Sequence, residues 1–334
     1  MSVAAGSIGL VSRSQERFLE LRLQCPQCGT LLGVLREDDF PPEFLYSCTN
    51  CYFQMLNDSG IWRALPPERA AHFERFTREY QTVREREGRG SSDPRYYLAL
   101  PYKDLSGNNR QQWKIRSLTY RFLERRILPE IERRDTRGLN ILDLGAGNGW
   151  MSYRLALRGY HPVAVDLLVS EMDGLAAAAH FGSRLPRLFP RVQAENERLP
   201  FAGNQFDVAI FNASFHYSED YFATLGEAIR CLRPGGVAII ADTAWYERDS
   251  SGERMVTERR QAFTARYGFP SDGLISLEFL TDSRLNGLAR HFCITWDVHR
   301  PFYGVRWTMR PFFAKLKGKR VPSRFRIYVA EVAK

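Results

Sequence analysis

Short apolar runs alternate with helical segments from residue 139 onward, and this alternation constrains the fold more than any other feature. It predicts strands over residues 140–144, 162–166, 191–195, 207–211 and 237–242. A helix between the last two strands is marked by Phe222, Leu225, Ile229 and Leu232, and it stops before Pro234-Gly235-Gly236. Such alternation favours right-handed crossovers, so we predict an α/β fold with a doubly wound, mostly parallel sheet. The final run FRIYVAEVA (325–333) has period two and predicts a strand at the sheet edge.

Four of the six cysteines form two Cys-x-x-Cys pairs, Cys25 with Cys28 and Cys48 with Cys51, separated by 19 residues. This spacing is typical of a structural zinc site in which each pair forms a tight turn and four thiolates leave no position for water. The alternative is a set of free or redox-active thiols. The two remaining cysteines, Cys231 and Cys293, stand in apolar surroundings and are expected to be inert core thiols.

The cysteine pattern also bears on the cellular compartment. A disulfide framework would not concentrate its cysteines in this way in a chain of 334 residues, so a reducing cytoplasm is expected. No apolar run approaches the roughly 18 residues that span a bilayer. The first twenty residues lack a basic start and an apolar centre, so we expect neither a transmembrane helix nor a secretory signal.

Length and composition favour one large and one small unit. We predict a zinc ribbon over 20–66, a helix and linker over 67–109, and the large domain over 110–334, with its core at 139–245. The helix carries an apolar stripe of Phe73, Phe76, Tyr80 and Val83, and the linker covers 84–94. A second helix is expected over 110–128, where Pro129 ends or kinks it.

The first strand runs into the glycine-rich stretch ILDLGAGNGW (141–150). Glycines let a backbone turn sharply and approach a ligand at a helix N-terminus. The dinucleotide pattern G-x-G-x-x-G would need a third glycine where Trp150 stands, and no Gly-Lys-Ser/Thr follows, so neither that pattern nor a P-loop is present. The second strand ends in Asp166, 23 residues after Asp143, where an acid can accept both hydroxyls of a ribose.

The stretch Asp143-x-Gly145-x-Gly147-x-Gly149 resembles the first motif of class I S-adenosylmethionine-dependent methyltransferases. Two further stretches follow in the order of the type 11 group of that family: Glu195-Asn196-Glu197-Arg198-Leu199-Pro200-Phe201 before Phe206-Asp207, and Arg233-Pro234-Gly235-Gly236. The resemblance covers roughly residues 139–245. It implies a Rossmann-like domain and an enzyme that uses S-adenosyl-L-methionine as cofactor.

The same resemblance implies a set of cofactor-binding residues. The methionine end would be held by Asp143 and by the loop of Gly145, Ala146, Gly147, Asn148 and Gly149. Asp166, with Leu167 beside it, would lie at the ribose, and Glu195 and Asn196 beside the adenine; many relatives have Asp where Glu195 stands. Asn212 would line the methionine side, at the carboxyl edge of the sheet.

The segment YFQMLNDSGIWRAL (52–65) resembles the zinc-ribbon activator subunits of tRNA, rRNA and release-factor methyltransferases, over only about 45 residues. Residues 22–63 carry three basic side chains, Arg22, Arg36 and Arg63, against five acids, Glu37, Asp38, Asp39, Glu43 and Asp58. This local charge of −2 argues against the ribbon as a phosphate-backbone contact.

Methyl transfer is an in-line displacement in which the protein mainly aligns the reactants, and a base is needed only if the acceptor must lose a proton. The stretch FNASFHYSEDY (211–221) lacks the Asn/Asp-Pro-Pro-Tyr/Phe signature of enzymes that methylate exocyclic or amide nitrogens. His216 and Tyr217 are the candidate catalytic residues, and packing at the rim of the site is the favoured alternative for both. Tyr96, Tyr97 and Tyr102 face either a substrate or the core.

The net charge of +9 comes from residues 300–326, which hold nine Arg and Lys, six aromatic residues and no acid. Three explanations remain open: binding of RNA, binding of an anionic acceptor or anionic lipid, and a solvated surface. The sequence thus predicts a methyltransferase with an unidentified acceptor, a small-molecule or glycan-type one being favoured. The alternatives are an rRNA or tRNA methyltransferase and a non-catalytic cofactor-binding scaffold. The oligomeric state is left open.

Overall fold

The computed structural model describes residues 20–36, 44–133 and 138–333. The acids Glu37, Asp38, Asp39 and Glu43 of the ribbon, and the first nineteen residues on which the signal-peptide expectation depended, lie outside the described residues. No helix in the described ranges is both long enough and apolar enough to cross a membrane.

The N-terminal third consists of short strands followed by helices. The strands are β1 (Glu20–Gln24), β2 (Leu31–Arg36), β3 (Leu45–Ser47), β4 (Gln54–Asp58) and β5 (Ile61–Arg63). The helices are α1 (Pro67–Arg86), α2 (Pro94–Ala99), α3 (Arg110–Phe122), a π-helical turn (Leu123–Ile127) and α4 (Leu128–Glu132). The π turn precedes Pro129, which has no N–H to donate to the preceding turn, so the helix widens there and continues instead of ending.

The remaining elements alternate as the apolar runs predict. Their order is β6 (Asn140–Leu144), α5 (Trp150–Ala156), β7 (His161–Asp166), a 3-10 turn (Leu175–Phe181), β8 (Arg191–Gln193), β9 (Phe206–Asn212), a 3-10 turn (Phe215–Tyr217), α6 (Tyr221–Cys231) and β10 (Leu232–Ala241). They are followed by α7 (Asp249–Tyr267), α8 (Asp282–Phe292), β11 (Asp297–His299), α9 (Val305–Thr308), α10 (Arg310–Leu316) and β12 (Ile327–Glu331).

One sheet runs through the molecule in the order β11-β12-β10-β9-β6-β7-β8-β5-β4-β3. The central strands β8-β7-β6-β9-β10 are all parallel. The chain adds β7 and β8 on one side of β6 and then β9 and β10 on the other side, which confirms the doubly wound, mostly parallel fold. The ribbon does not stand apart, because β5 pairs in parallel with β8 through Ile61 with Arg191, Trp62 with Val192 and Arg63 with Gln193.

Two apolar cores cover the two faces of the sheet. Successive residues of a strand point alternately into one core and into the other. Ile141, Val208 and Ile210 pack on one face with α3 and α5, while Leu142, Ala209 and Phe211 pack on the other. The second core runs on into the ribbon, where it includes Leu21, Leu23, Cys25, Leu35, Cys48, Phe53, Met55 and Trp62. A single hydrophobic cluster therefore joins the ribbon to the large domain.

Three expectations are corrected by the structure. The C-terminal strand β12 is not at the sheet edge, because the three-residue strand β11 pairs antiparallel with its outer side. Cys293 is exposed at the left-handed end of α8, whereas Cys231 is buried as predicted. Leu232, which was expected to belong to the helix before Pro234, instead begins β10, because α6 ends at Cys231.

Candidate functional site

The loop between β6 and α5 is folded tightly at the carboxyl edge of the sheet. The backbone N–H groups of Gly145 and Ala146 both donate to the carbonyl of Val165, at 2.8 and 3.0 Å. Gly145 has φ +74°, and a Cβ there would lie 2.2 Å from the Cβ of Ser214. Gly147, at φ +57°, faces open space, because the nearest atom to an added Cβ is 3.9 Å away. The loop thus brings bare backbone to the wall of a cleft.

Two carboxylates, the buried Asp143 and the half-buried Asp166, fix this loop. Asp143 accepts a hydrogen bond of 2.7 Å from Ser152 Oγ, and burial raises the pKa of Asp143 to about 7. Asp166 accepts the N–H of Gly147 on Oδ2 at 2.8 Å and the N–H of Leu168 on Oδ1 at 2.7 Å. Burial also raises the pKa of Asp166, and the two N–H groups oppose that shift. Each oxygen of Asp166 keeps a lone pair for a ribose hydroxyl.

A cleft opens beside the loop, with about 840 Å³ of space that includes its opening to solvent. It is lined by Gly145, Ala146, Gly147, Asn148, Asp166, Leu167, Asn196 and Asn212, eight of the eleven residues expected at the cofactor. The Oδ1 atom of Asn212 is buried without a hydrogen-bond partner in the described part of the chain. An unpartnered acceptor and an uncovered glycine backbone fit a site that a polar ligand completes.

The other three residues expected at the cofactor lie behind the cleft wall. Asp143 supports the loop through Ser152, and Gly149 begins α5. Glu195 places both carboxylate oxygens on the guanidinium of Arg69, at 2.6–3.0 Å, and its side chain is almost fully buried. Glu195 therefore ties α1 to the strand edge.

Helix α1 forms the opposite wall of the cleft, which the sequence did not indicate. Phe76, Thr77, Tyr80 and Arg84 line the cleft from one face of the helix. Arg84 forms a salt bridge with the buried Asp173, whose other oxygen accepts from Asn148 at 3.0 Å. The segment 67–86 is thus part of the site. The only sequence signal was the helical spacing of its aromatic residues.

A second cavity of about 1350 Å³ adjoins the cleft. The rings of Phe76, Tyr80 and Tyr217 line both spaces and contact one another, with centroids 5.6–5.7 Å apart. We name these three rings the aromatic wall. The second cavity lies among α1, α3, α7 and the loops after β9 and β10, and Phe325 also lines it.

Charged groups are concentrated in the second cavity. Arg84, Arg89 and Arg259 pair with Asp173, Glu87 and Glu278. Arg116 has no ion pair among the described residues, and its guanidinium lies 4.9 Å from the Trp113 ring centroid. Burial, together with the charges of Arg89 and Arg84, lowers the pKa of Arg116 to about 10, so it remains cationic at neutral pH. The cavity therefore presents a cation with no direct carboxylate partner.

Asp242, at the carboxyl end of β10, also lines this cavity and was missed by the sequence analysis. Its Oδ1 accepts from Thr119 Oγ1 at 2.6 Å, and Thr119 lies 3.0 Å from the Tyr303 hydroxyl. Its Oδ2 has no partner among the described residues. Burial raises the pKa of Asp242 to about 6, against the hydrogen bond from Thr119 and the charge of Arg116. Such a carboxyl is poised to exchange a proton near neutral pH.

Both candidate catalytic residues of the sequence analysis line the second cavity. His216 lines the second cavity, and burial with the charges of Arg259 and Arg116 lowers its pKa to about 4, so its imidazole is neutral. Tyr217 belongs to the aromatic wall. Tyr96 and Tyr97 are core residues at 2% and 0% exposure, whereas Tyr102 is exposed.

The four N-terminal cysteines converge as their spacing predicts. All four Sγ atoms lie within 4.8 Å of one another, and Cys25–Cys51 and Cys28–Cys48 approach to 3.5 Å. The two turns have the same hydrogen bond, since the Gly29 N–H donates to the Cys25 carbonyl and the Tyr52 N–H donates to the Cys48 carbonyl. Zinc–sulfur bonds of ~2.3 Å in a tetrahedron place sulfurs ~3.8 Å apart, so this cluster fits a structural zinc ion.

Comparison with known proteins agrees with the geometry. Residues 142–240 match the family model described as a methyltransferase domain. The segment from β6 to β10 is therefore similar in sequence to a methyltransferase domain. An uncharacterized methyltransferase of Mycolicibacterium gilvum (strain PYR-GCK) is 33% identical over 112 residues, covering 33% of this chain and 41% of that protein. A malonyl-[acyl-carrier protein] O-methyltransferase of Enterobacter lignolyticus (strain SCF1) is 32% identical over 178 residues, covering 52% and 63%.

Solved structures of methyltransferases are also similar. The Burkholderia thailandensis 1,6-didemethyltoxoflavin-N1-methyltransferase is 18% identical, with 73% of this chain and 92% of that chain covered and a TM-score of 0.44. The chain spans about half the length of the curated relatives it matches. The range matched by the family model, residues 142–240, includes the glycine loop, and the ribbon lies outside it.

The cysteine cluster generates the first prediction. Cys48→Ser removes one thiolate from a cluster that is continuous with the second core, so the variant should lose one equivalent of zinc. We expect its free energy of unfolding to fall by more than about 4 kcal/mol, the range in which loss of a metal site belongs. Zinc analysis and denaturant unfolding measure the two effects. Cys293→Ser, at an exposed thiol, is the control and should change neither.

A zinc-free, folded protein whose four N-terminal cysteines are all alkylated would contradict the metal assignment. An unfolding midpoint unchanged by Cys48→Ser would contradict the coupling of the ribbon to the large domain.

Proposed function

We propose that this protein transfers a methyl group from S-adenosylmethionine to a small molecule bound in the second cavity. The observation that carries the proposal is the pair of adjoining spaces, one at the glycine loop and one among charged groups, separated by the aromatic wall. Bound S-adenosylmethionine would supply an activated methyl group on sulfur. The protein would supply alignment and exclusion of water.

The cleft residues have distinct parts in this proposal. Asp166 accepts hydrogen bonds from the ribose hydroxyls, and the bare backbone of Gly147 approaches the methionine end. The Oδ1 atom of Asn212, which has no protein partner among the described residues, accepts a hydrogen bond from the ligand. The family match over residues 142–240 supports this use of the loop. We also propose that Asn148 and Asn196 contact the cofactor. The boundaries at residues 66 and 109, which divide the chain into the ribbon, the helix with its linker and the large domain, belong to the same proposal.

The charges of the second cavity favour an acidic small molecule as acceptor. Arg116, which lines both the second cavity and the cleft, is the cation available to a carboxylate or phosphate, because Arg84, Arg89 and Arg259 already hold acids. One of the similar proteins, the malonyl-[acyl-carrier protein] O-methyltransferase, has an acceptor in its name that is not RNA. A nucleic-acid acceptor is not favoured, because the charged groups proposed to meet the acceptor line a cavity among α1, α3 and α7. The proposed compartment is the reducing cytoplasm, which suits four free thiols and zinc.

Asp242 is the group we propose to accept a proton from the acceptor. Asp242 lines the cavity, and its Oδ2 has no partner among the described residues. Thr119, whose Oγ1 lies 3.0 Å from the Tyr303 hydroxyl, donates to the opposite oxygen. A pKa of about 6 leaves it ionised at neutral pH while still basic enough to act. The neutral His216, with a pKa of about 4, is the weaker base and fits a role in packing the cavity wall.

Cofactor binding is tested by calorimetric titration of the protein with S-adenosylhomocysteine. Asp166→Ala removes the acceptor for two ribose hydroxyls, and charged hydrogen bonds contribute roughly 1.5–3 kcal/mol each, so affinity should fall by about 100-fold or more. The matched control is Glu171→Ala, because Glu171 is an exposed acid on the same loop. Failure of the unaltered protein to bind S-adenosylhomocysteine would contradict the proposed function, and equal binding by Asp166→Ala would remove the assigned ribose site.

The unusual environment of Asp242 makes a second prediction that needs no acceptor. Its folded-state pKa of about 6 lies above the ordinary 3.8, so ionisation costs the native state stability as the pH rises through about 6. Asp242→Asn should therefore raise the free energy of unfolding by about 1–3 kcal/mol at pH 8, and the gain should vanish near pH 4. Denaturant unfolding at both pH values measures this difference.

The control for that measurement is Asp297→Asn, since Asp297 has an exposed side chain on β11. It should show little change at either pH. A gain that is equal at pH 4 and pH 8 for Asp242→Asn would show that Asp242 does not carry the destabilising charge.

A further inference from the structure

Residues 302–321 form a surface with an unusual number of exposed apolar side chains. Seven of them are 38–70% exposed, and they belong to α9, α10 and the adjoining loops: Phe302, Val305, Met309, Phe312, Phe313, Leu316 and Val321. Neither α9 nor α10 has a fully buried residue. Apolar side chains gathered in this way on a surface mark an interaction site. We name these seven residues the apolar face.

Free cations accompany the apolar face. Arg306, Lys315, Lys317 and Lys319 are exposed and make no ion pair with any described residue. Three of the neighbouring cations are used internally, since Arg310 donates to the Ser323 carbonyl, Arg320 pairs with Glu258, and Arg326 pairs with Asp282. The positive charge that remains for a partner is therefore concentrated on the same short segment as the exposed apolar groups.

The segment is anchored to the domain beneath it. Trp307 packs on Phe325 with ring centroids 5.2 Å apart, and the guanidinium of Arg310 lies 3.1 Å from the Trp307 ring centroid. The Tyr303 hydroxyl lies 3.0 Å from Thr119 Oγ1, and Tyr303 is buried. The inward-facing aromatic groups thus hold the segment in place, while the apolar face points outward without a partner in the described structure.

We propose that the apolar face docks the protein on the surface of a bilayer that contains anionic phospholipid. Phe and Leu side chains enter the boundary between headgroups and acyl chains, while Lys and Arg side chains remain at the anionic headgroups. This inference stands on the surface alone and does not depend on the proposed methyl transfer.

Two other occupants fit the surface less well. Single-stranded RNA is bound by cations together with aromatic stacking, but four of the seven side chains, Val305, Met309, Leu316 and Val321, have no ring on which a base can stack. A second copy of the chain, bound through this same face, would bring the four free cations of each copy against those of the other, and like charges at an interface oppose association. An anionic bilayer satisfies both the apolar and the cationic groups.

The test is co-sedimentation of the full chain with vesicles at 100 mM salt. Vesicles of phosphatidylcholine and phosphatidylglycerol in equal parts should bind the protein at least tenfold more strongly than vesicles of phosphatidylcholine alone. Phe312→Ser with Phe313→Ser should lower that partition coefficient at least tenfold. Replacement of Lys315, Lys317 and Lys319 by Gln should reduce binding to the level seen with phosphatidylcholine, as should 500 mM salt.

Matched variants control for the number and type of substitutions. Leu157→Ser with Ile275→Ser removes two exposed apolar side chains elsewhere, and Gln at Lys103, Arg125 and Arg126 removes three exposed cations elsewhere. Both should bind anionic vesicles like the unaltered protein. Circular dichroism confirms that each variant is folded.

Three results would overturn the proposal. The first is equal or absent binding to the two kinds of vesicle. The second is a stable dimer, seen by light scattering, that Phe312→Ser with Phe313→Ser disperses while vesicle binding is absent. The third is binding of an oligouridine that the same variant abolishes while vesicle binding is absent.

Discussion

The parallel pairing of β5 with β8 is the contact on which the rest of the architecture depends. Ile61, Trp62 and Arg63 continue the large sheet into the ribbon, and the guanidinium of Arg191, on β8, reaches the Ser59 carbonyl at the ribbon turn. The chain leaves β5 directly into α1, so the sheet pairing fixes where that helix begins. The ion pair of Arg69 with Glu195 then holds α1 over the cleft. A cysteine cluster far from the cleft thereby supports a wall of the candidate site.

Burial of charge distinguishes the two spaces that meet at the aromatic wall. At the cleft, the buried Asp143 behind its wall and the half-buried Asp166 in its wall receive hydrogen bonds from Ser152 and from backbone N–H groups. In the second cavity, Arg116 and Asp242 face the same space without forming an ion pair with each other. Opposite charges held apart beside a cavity are costly unless a ligand or water completes them, and such costs are typical of functional sites. The electrostatics therefore support a polar acceptor in that cavity.

Local signals account for what the sequence predicted correctly. Strand β6 was predicted with its observed bounds, and the cysteine cluster converged, because apolar runs and paired cysteines are encoded within a few consecutive residues. The parts that were missed depend on contacts between distant segments. Arg69 meets Glu195 across 126 residues, and Thr119 meets Asp242 across 123. The three-residue strand β11 is too short to show a period, so the edge position of β12 was wrong.

We propose that methyl transfer takes place where the cleft and the second cavity meet. A crystal structure with bound S-adenosylhomocysteine would show the sulfur atom at that point. We expect the ribose hydroxyls to bind Asp166 and the sulfur atom to lie against the aromatic wall, facing the cavity of Arg116 and Asp242. A ligand bound outside the cleft, or one whose sulfur atom faces away from the second cavity, would contradict it.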